Sequence, residues 1–547
     1  MDRRSGLRQT MWRSRQGLLR LPSTSNPAQM AKTKMTMRVS SSKQQLRLPT
    51  EVLERIFLKL PFVELLTVRA ACSEFRKIVD ECLKLRARFR LKFPLDIKTM
   101  DKNFNPQSLI PASGVIFEHL NIVNVGAWWP RIAGDITEVT MNVCDFPLDM
   151  LRFVPNLEEL NLDGVKLTKP VYSAFKLGKI KRLSVKHGSV EILECLDQII
   201  PKPLVKFEFA VDVEMGYEDQ QKVIQFVSFR QDTLEELSLK PVEGMLERIS
   251  RLNEAKLKRV TIGNFQNSPR SGEMHLIKFA RGQSTIEALT ILYVAIRSST
   301  IREMGRGLPR LKRFVLHLNL VDKNVLEAAT KSMPMLEYLE VKGPFTVTGC
   351  DGESENKHLK ELVLRNCEVS ADNLKKFLQY TPFLTRLTLE YVKFDDWSDF
   401  TELMSGLYSL EYLRLHIVSV RNHDDYDAQE HVNKSVKYVE LDGNGNLSTW
   451  EVSMMFLMFP ELKELRCSSL EKLNLHVIVK ELGIMGKTVG NLVLRNCKVS
   501  QAVVQNIVEY CAELQRLQIE GDTELTGVEL GRFRAYMKEA GKEFVET

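Results

Sequence analysis

The sequence lacks paired cysteines and long apolar runs. Its nine cysteines are scattered singly, without any C-x-x-C spacing, which argues against a disulfide framework and favours reduced thiols in an intracellular compartment. The most apolar stretch, residues 452–459, is far shorter than the roughly 18 residues that a membrane helix needs. We therefore expect a protein of the cytoplasm, the nucleus or both, with no membrane partner.

Motifs that carry catalysis are also missing. The sequence has no nucleophile elbow, no phosphate-binding loop and no pair of carboxylates at a convincing spacing. Residues 421–431 bring His423 and His431 among aspartates, but their spacing matches no metal signature. Residues 442–453 begin like a calcium loop and then lack its glycine and its final glutamate. The sequence therefore predicts a non-enzymatic protein without a cofactor or a metal.

Positive charge is concentrated at one end of the chain. The formal net charge is +7, but residues 1–47 hold eleven Lys or Arg and one acid, Asp2, so they contribute +10 and the remaining residues about −3. Residues 48–547 are therefore not a basic nucleic-acid binder. We interpret residues 1–44 as a disordered basic tail. A mitochondrial presequence and an extension upstream of the true start are the alternatives.

What the chain has in abundance is one repeated motif. The stretch LKELVLRNCEVS at residues 359–370 returns almost unchanged as GNLVLRNCKVS at residues 490–500. Both copies follow L-x-x-L-x-L-x-x-C, with Val489 in place of the first leucine of the second copy, and this is the pattern of leucine-rich repeats. Cys367 and Cys497 occupy the position at which a buried Asn or Cys bonds to the following turn. We expect both thiols to be buried and reduced.

The six-residue core of this motif recurs along most of the chain. Its spacing of 19 to 30 residues lies in the leucine-rich-repeat range, and seventeen copies in register predict a solenoid. Two hexamers, at Leu462 and at Leu470, compete for one repeat. The copies begin at Phe117, Ile136, Leu157, Ile180, Leu204, Leu234, Leu257, Ile286, Leu311, Leu336, Leu359, Leu384, Leu410, Val436, Leu462, Val489 and Leu514.

The predicted fold class is α/β, a leucine-rich-repeat solenoid with a curved parallel sheet inside and helices outside, preceded by a small three-helix domain. Because strands pack about 4.8 Å apart while helices need about 10 Å, the sheet should be concave. We place the three-helix domain at residues 45–84 and a proline-containing linker at residues 85–114. The solenoid follows at residues 115–525, and a C-terminal capping helix at residues 526–547.

Two shorter segments also carry expectations. Thr526 and Glu529 have the spacing of a capping box, and apolar residues follow at helical spacing, which predicts a helix over about residues 527–540 that covers the last repeat. The alternative is a mobile tail that reaches back to the concave face and gates access to it. Basic residues alternate with apolar ones over residues 84–92. They form either a basic strip for an acidic ligand or an ordinary solvated face.

Residues 48–79 predict three short helices. Thr50 can cap the first helix, and Pro61 ends it. Three helices this short cannot bury all of their apolar groups among themselves, so some must face a partner. The apolar residues at helical spacing along the first helix, which we expect to point inward, are Val52, Leu53, Ile56, Phe57 and Leu60.

This stretch closely resembles an F-box, although Phe75 stands where that family commonly has Trp. The matching residues are Leu48-Pro49, Glu51 to Leu53, Ile56-Phe57, Leu60-Pro61, Leu65-Leu66, Val68-Arg69, Cys72 and Phe75-Arg76. The resemblance implies docking on the Skp adaptor of a cullin–RING ubiquitin ligase. The alternative is a helical cap on the first repeat. By matching positions, the adaptor-binding residues are Leu48, Pro49, Ile56, Leu60, Leu65, Val68, Cys72 and Phe75.

The outward side of the predicted sheet carries a second set of candidates. Arg and Tyr dominate binding hot spots, and both recur at outward strand positions toward the C-terminal half, with glutamates among them. We expect these residues either to bind a protein substrate on the concave face or to form a solvated face with internal salt bridges. They are Arg313, Tyr338, Arg365, Arg386, Tyr412, Arg414, Tyr438, Arg466, Arg495 and Arg516.

Together these features predict the substrate-recognition subunit of a Skp–cullin–F-box E3 ubiquitin ligase, with the cullin and RING subunits reached through the adaptor. Such a subunit is not itself catalytic, because it acts by holding a protein substrate near the transfer machinery and raising its effective concentration. The alternative is a leucine-rich-repeat interaction scaffold that works without a ligase. Purification with a near-stoichiometric Skp-type adaptor distinguishes the two.

Overall fold

The computed structural model divides into two compact units, residues 1–234 and residues 235–547, and each is described by itself. The described residues are 19–20, 48–106, 111–126, 128–168, 175–210, 215–240, 245–252, 255–263, 269–319, 324–347, 356–369, 371–422, 432–443, 449–469, 474–484, 489–511, 513–521 and 525–546. The basic tail predicted at residues 1–44 therefore lies outside the described residues, apart from a two-residue strand at 19–20. Among the described residues, no helix has the length and apolarity needed to cross a membrane.

The first unit begins with the expected three helices and a short fourth one. Their bounds are α1 (Thr50–Lys59), α2 (Phe62–Ala71), α3 (Ser73–Glu81) and α4 (Leu83–Arg86). Prolines 49 and 61 occupy the positions before α1 and α2, so Thr50 is the first helical residue rather than the cap. Arg69 of α2 forms a two-pronged ion pair with Asp80 of α3, at 2.6 and 2.9 Å. This pair fixes the angle between the two helices.

Short parallel strands follow in the same unit. The main sheet has the order β1-β2-β4-β6-β8-β10-β11, and β3, β5, β7 and β9 form a smaller sheet beside it. The bounds are β1 (Leu19–Arg20), β2 (Arg90–Lys92), β3 (Thr99–Met100), β4 (Gly114–Glu118), β5 (Asn121–Ile122), α5 (Trp129–Ala133), β6 (Glu138–Asn142), β7 (Asp145–Phe146), a 3₁₀ helix (Leu148–Phe153), β8 (Glu159–Asp163), β9 (Lys166–Leu167), β10 (Arg182–Lys186), α6 (Val190–Ile199), β11 (Lys206–Ala210) and α7 (Tyr217–Ser228).

The start of the repeat array differs from the expectation. Residues 85–114, interpreted as a linker, contain β2, and its Leu91 pairs in register with Val115 of β4. The prolines that suggested a linker lie outside β2 and β4, so they do not interrupt the ladder. The first predicted hexamer, at Phe117, is out of register, because Phe117 pairs with Met141 and is therefore the last apolar residue of a hexamer that begins at Ala112.

The basic residues at 84–92 are largely used within the unit. Arg88 donates to the Leu60 carbonyl at 2.8 Å, which secures the end of α1. Three further basic side chains of this segment form ion pairs with carboxylates of the unit. The pairs are Arg86–Asp135 at 2.5 Å, Arg90–Glu138 at 2.6 Å and Lys92–Glu118 at 2.6 Å. The segment therefore holds the three-helix domain and the first strands together, and it does not present a continuous basic strip.

The second unit is a longer version of the same arrangement. Its main parallel sheet has the order β12-β13-β14-β15-β16-β18-β20-β22-β24-β25-β26-β27-β28, and β17, β19, β21 and β23 form a small second sheet. The strands are β12 (Glu236–Leu239), β13 (Arg259–Gly263), β14 (Ala288–Val294), β15 (Arg313–Leu318), β16 (Tyr338–Lys342), β17 (Thr346–Val347), β18 (Glu361–Arg365), β19 (Glu368–Val369), β20 (Arg386–Glu390), β21 (Lys393–Asp396), β22 (Tyr412–His416), β23 (Ser419–Asn422), β24 (Tyr438–Asp442), β25 (Glu464–Ser468), β26 (Asn491–Arg495), β27 (Arg516–Glu520) and β28 (Glu543–Glu546).

Helices connect many of these strands and cover one side of the sheet. They are α8 (Met245–Ser250), α9 (Pro269–Gly282), α10 (Ser298–Gly307), α11 (Val325–Ser332), α12 (Ala371–Gln379), α13 (Trp397–Ser405), α14 (Thr449–Met458), α15 (Leu475–Ile484), α16 (Gln501–Tyr510) and α17 (Gly527–Glu539). In α12 the side chains of Leu374, Phe377 and Leu378 are buried against the sheet. The predicted fold class, a three-helix domain followed by a solenoid-like parallel sheet with helices, is confirmed.

The hexamer register of the second unit follows from the strand pairing. In the repeat that opened the sequence argument, Leu359, Leu362 and Leu364 are fully buried. The competition between Leu462 and Leu470 is settled for Leu462, because β25 begins at Glu464 and places Leu465 and Cys467 inward.

Directly after many of the strands, one residue adopts the left-handed backbone conformation. Its backbone N–H continues the hydrogen bonding between neighbouring repeats beyond the end of the strand. Asn366 and Tyr391 both have φ of 55°, and Ile417 has φ of 49°. In this conformation the Asn366 backbone N–H donates to the Glu390 carbonyl at 2.9 Å, and that of Tyr391 to the His416 carbonyl at 2.9 Å. Neighbouring repeats are therefore joined at the turn as well as along the strand.

Buried asparagines tie two helix ends to the next repeat. Asn433, which is 2% exposed, donates from Nδ2 to the carbonyls of Met404 and Leu407 at 2.7 and 2.8 Å. Its Oδ1 accepts the Ser435 backbone N–H at 2.9 Å. Asn356, three positions before the hexamer at Leu359, makes the corresponding bonds to the Thr330 and Met333 carbonyls and to the His358 backbone N–H. These side chains satisfy carbonyls that the helix end leaves without an intrahelical partner.

The cysteines of the repeat motif are buried as expected. Cys367 is 4% and Cys497 is 3% exposed, and the Cys497 thiol donates to the Arg495 carbonyl at 3.2 Å. Burial raises the pKa of the Cys367 thiol to about 12, so the nucleophilic thiolate is scarce at neutral pH.

We expect a thiol reagent to modify exposed Cys72 rapidly in the folded protein and Cys367 and Cys497 only on unfolding. Mass spectrometry of peptides after a short treatment measures the three rates in one sample. Labelling of Cys367 as fast as that of Cys72 contradicts the observed register.

The C-terminal segment closes the sheet with a helix and a strand. Thr526 and Glu529 form the predicted capping box at the start of α17. The helix ends at Glu539, and the chain then adds β28 to β27, with Phe544 beside Leu517. Phe533 of α17 packs against Phe544 with ring centroids 5.2 Å apart. The predicted helix is therefore present, and the final strand is an element that sequence analysis missed.

Candidate interaction surfaces

The three-helix domain has one apolar side inside and another exposed. Phe57 and Leu65 are buried at 4% and 0% exposure. On the opposite side, Leu48 is 47% exposed, and Val52 and Ile56 follow at 39% and 42%. Because residues four apart lie above one another on a helix, Val52 and Ile56 form a single apolar stripe that begins beside Leu48. We call these three residues the α1 stripe.

The predicted adaptor-binding residues divide into three groups in the structure. Leu48, Pro49, Ile56 and Cys72 are exposed, whereas Leu60, Val68 and Phe75 are partly covered. Leu65 does not belong to the set in this conformation, because its side chain is 0% exposed and packs inside the domain. The family motif places Leu65 in the matched pattern, but a pattern match does not separate core leucines from surface ones.

Sequence analysis misplaced Val52 and missed Val63. Val52 was assigned, together with Ile56, to the inward face of α1, but the structure exposes the two side chains at 39% and 42%. Val63, in the first turn of α2, is 72% exposed. The signal for both lay in the excess of apolar residues over what three helices can bury.

All ten Arg and Tyr candidates of the second unit lie on one side of its sheet. Each occupies the first, third or fifth position of a strand, and the side chains at these positions point away from the helices. We call the side chains at these positions of β15 to β27 the strand face. It holds Arg313, Tyr338, Arg365, Arg386, Tyr412, Arg414, Tyr438, Arg466, Arg495 and Arg516.

One cluster on the strand face is built around Tyr338. The Arg313 guanidinium lies over the Tyr338 ring, 3.4 Å from its centroid, and the Tyr338 hydroxyl donates to Glu340 at 2.6 Å. Arg365 Nε lies 3.1 Å from the same carboxylate. Stacking and ion pairing therefore fix all four side chains.

A second cluster repeats this arrangement around Tyr412, farther along the sheet. Arg386 lies over the Tyr412 ring at 4.1 Å, the hydroxyl donates to Glu440 at 2.7 Å, and Arg414 Nε lies 3.4 Å from Glu440. The chain thus uses the same Arg–Tyr–Glu–Arg combination twice. Sequence analysis named the Arg and Tyr members but did not connect them.

The protonation of both clusters follows from their contacts. Burial alone would raise the pKa of the Glu340 carboxyl, but hydrogen bonds from His317 and Tyr338 and the charge of Arg365 lower that pKa to about 2. Burial and the hydrogen bond to Glu440 raise the pKa of Tyr412 to about 12. At neutral pH the glutamate is therefore ionised, and Tyr412 is a neutral hydroxyl donor.

Arg386 and three further arginines of the strand face also lie beside carboxylates outside the two clusters. The pairs are Arg386–Glu361 at 3.7 Å, Arg466–Glu464 at 2.5 Å, Arg495–Glu520 at 2.8 Å and Arg516–Glu543 at 3.7 Å. A phosphate or another strong anion at these guanidinium groups therefore meets a nearby carboxylate of the same sign. The strand face is therefore suited to polar and aromatic contacts, with the 40% exposed ring of Tyr438 among them.

The polar segments considered for metal binding give no site that the structure describes. His423 and His431, together with the loop over residues 444–448, lie outside the described residues. His416, the nearest described histidine, has Nδ1 3.0 Å from an Asp442 carboxylate oxygen. Within the described ranges, no group of three or more His, Cys, Asp or Glu is arranged to hold a metal.

Comparison with known proteins identifies the three-helix domain. Residues 45–86 match the family model of the F-box domain, so the chain carries an F-box at the position that the sequence predicted. No curated protein matches the chain. Among solved structures, this chain is similar to a chain in the crystal structure of the yeast Rad7 and Elc1 complex. The two chains are 14% identical, the match covers 78% of this chain and 89% of that chain, and the TM-score is 0.36. This chain is also similar to one from the TLR13–ssRNA13 complex, with 11% identity, 85% of each chain covered and a TM-score of 0.42.

Proposed function

We propose that this protein is the substrate-recognition subunit of a Skp–cullin–F-box E3 ubiquitin ligase in the cytoplasm, the nucleus or both. The F-box docks on a Skp-type adaptor and, through it, on the cullin and RING subunits. The repeats hold the protein to be ubiquitinated. The protein contributes no catalytic group, because its part is to raise the concentration of the substrate near the transfer machinery.

The observation that carries the proposal is the exposed α1 stripe on a domain that matches the F-box family. Neighbouring apolar side chains that stay exposed on a small domain, as Leu48, Val52 and Ile56 do, typically mark a surface that a partner covers. Such a side chain contributes roughly 1.5 to 3 kcal/mol on passing from full exposure to full burial, and these three are 39–47% exposed. The stripe therefore offers an adaptor about 2 to 4 kcal/mol of apolar contact in all.

The strand face supports the second half of the proposal. Its stacked Arg and Tyr side chains are held in place before any partner arrives, so that binding costs little side-chain entropy. The internal ion pairs make an unmodified polar and aromatic segment a better match than a phosphorylated one.

Co-expression with a Skp-type adaptor tests the proposal. We expect the two proteins to elute together at near 1:1 stoichiometry, and we expect the complex to capture a cullin–RING pair that the chain alone does not capture. If the chain elutes without the adaptor, the scaffold that works without a ligase is the better description.

A further inference from the structure

One segment of the second unit differs from its surroundings in charge. Residues 245–313 hold fourteen Lys or Arg and five Glu, a surplus of nine positive charges. The rest of the chain beyond the basic N-terminal 47 residues therefore carries about −12. This surplus belongs to α8 to α10 and to the strands that follow them.

The fold gathers much of this charge on one edge. In each of these repeats a helix ends and a short turn leads into the next strand, and these turns lie along one edge of the sheet. We call the exposed side chains of these helix ends and turns the leading edge; they include Arg281, Arg306, Arg310, Met335, Phe383 and Tyr408. Arg281 and Arg306, in the last turns of α9 and α10, have 63% and 74% of their side chains exposed. Arg310 lies in the turn between α10 and β15 and is also exposed.

Carboxylates on the leading edge neutralise these arginines only in part. A single glutamate, Glu303, is shared by Arg281 at 2.8 Å and Arg306. Among the described residues, no carboxylate lies within ion-pair distance of Arg310. Lys312, directly before β15, differs from Arg310 because it has its own carboxylate partner, Glu287, at 3.6 Å. The surplus positive charge therefore lies at the helix ends and the turn.

The same edge becomes apolar in the following repeats. The position directly before the first apolar residue of each hexamer is occupied by Arg310, then by Met335, His358 and Phe383 in later repeats. Met335 is 40% and Phe383 is 53% exposed, and Tyr408, in the equivalent turn before β22, is 83% exposed. Exposed aromatic side chains on the same edge as a basic cluster are typical of a binding surface.

We propose that the leading edge binds an extended acidic and apolar segment of a partner protein. Its acidic residues lie against Arg281, Arg306 and Arg310, and its apolar residues lie against Met335, Phe383 and Tyr408. At about 4.8 Å per strand, the edge from β14 to β22 spans roughly 24 Å, the length of about seven extended residues. A nucleic acid fits less well, because Glu287 and Glu303 lie among the basic groups and repel a continuous phosphate backbone. The proposal does not depend on the ligase assignment, because none of its residues belongs to the F-box at residues 45–86.

Selection from a random peptide library tests the proposal on the full chain. Phage that display random peptides of about twelve residues are enriched on the immobilised protein, and the winners are synthesised and measured by fluorescence anisotropy. We expect winners that combine Asp or Glu with Leu, Ile, Phe or Trp. The double variant R310S/F383S should bind them about tenfold or more weakly. The matched control K538S/Y536S, which removes one cation and one 40% exposed aromatic from α17, should leave affinity unchanged.

The single variants separate the two halves of the surface. R310S should weaken binding and flatten its dependence on sodium chloride, whereas F383S should weaken binding and leave the salt dependence intact. Circular dichroism and melting curves identify a variant that is merely unfolded. Winners without acidic residues, or equal binding by R310S/F383S and the wild type, overturn the proposal. It is also overturned if a poly(U) RNA binds the wild type and not R310S while no peptide does.

Discussion

Replacement of Leu48 and Pro49 by alanine should abolish stable binding of a Skp-type adaptor while leaving the repeat array folded. Leu48 is 47% exposed and precedes the first turn of α1, so that the protein's own core loses little when it is truncated. In the proposed complex the adaptor would enclose the same side chain, and hot-spot truncations of this kind cost about 2 kcal/mol or more each. Two of them together should weaken binding by at least about 100-fold. Pull-down and calorimetry with purified adaptor measure the loss.

The sequence supplies a matched control for this variant. Pro94 and Leu95 form the same pair of residue types in reverse order, and Leu95 is 51% exposed, outside the F-box match. P94A/L95A should therefore bind the adaptor like the wild type. The prediction that Leu48 and Pro49 dock on the adaptor is wrong if L48A/P49A retains full affinity for the adaptor, or if both variants lose affinity equally.

The fold was predictable because one short pattern repeats many times. A hexamer such as Leu359, Leu362 and Leu364 needs only its spacing to place three side chains inward, and neighbouring copies correct one another. The first predicted repeat has a neighbouring copy on only one side to correct its register. The prediction therefore started its hexamer at Phe117 instead of Ala112. The same limit hid β28, because Phe544 gains its partner only through pairing with β27.

The F-box was predictable as a motif and less so as a surface. The motif records residue type and spacing, so it treats Leu65 and Ile56 alike, yet one is 0% and the other 42% exposed. Which leucine enters the core depends on the packing of α2 against its neighbours, a tertiary property that helical spacing does not contain. Exposure therefore had to come from the structure.

The strand face shows what residue types alone leave undecided. Arg386 and Tyr412 were named as binding residues because such side chains dominate hot spots. The structure adds that they stack on each other at 4.1 Å and that Glu440 holds the tyrosine hydroxyl at 2.7 Å. Strands pair residues 26 positions apart in the sequence, so these contacts depend on register between repeats. The substrate-binding role of the ten residues remains a prediction.

Removal of residues 526–547 should destabilise the second unit strongly. The segment supplies α17 and β28, which cover the last repeat, and its loss exposes Leu517 and Ile519 of β27, now 0% and 1% exposed. The uncovered strand also offers unpaired backbone groups to other chains, so aggregation should accompany the lower melting temperature.

A point variant separates this covering role from a mobile gate over the strand face. Phe533 is 4% exposed and packs on Phe544, so F533A should lower the free energy of unfolding by about 3 to 5 kcal/mol in urea titrations. Val528, on the same helix, is 67% exposed, and V528A should change it by less than about 0.5 kcal/mol. A gate predicts the opposite pattern, namely unchanged stability for F533A together with altered partner binding. The structure favours the cover, because the packed rings hold α17 on β28 and the pairing of β28 with β27 holds both on the last repeat before any partner is present.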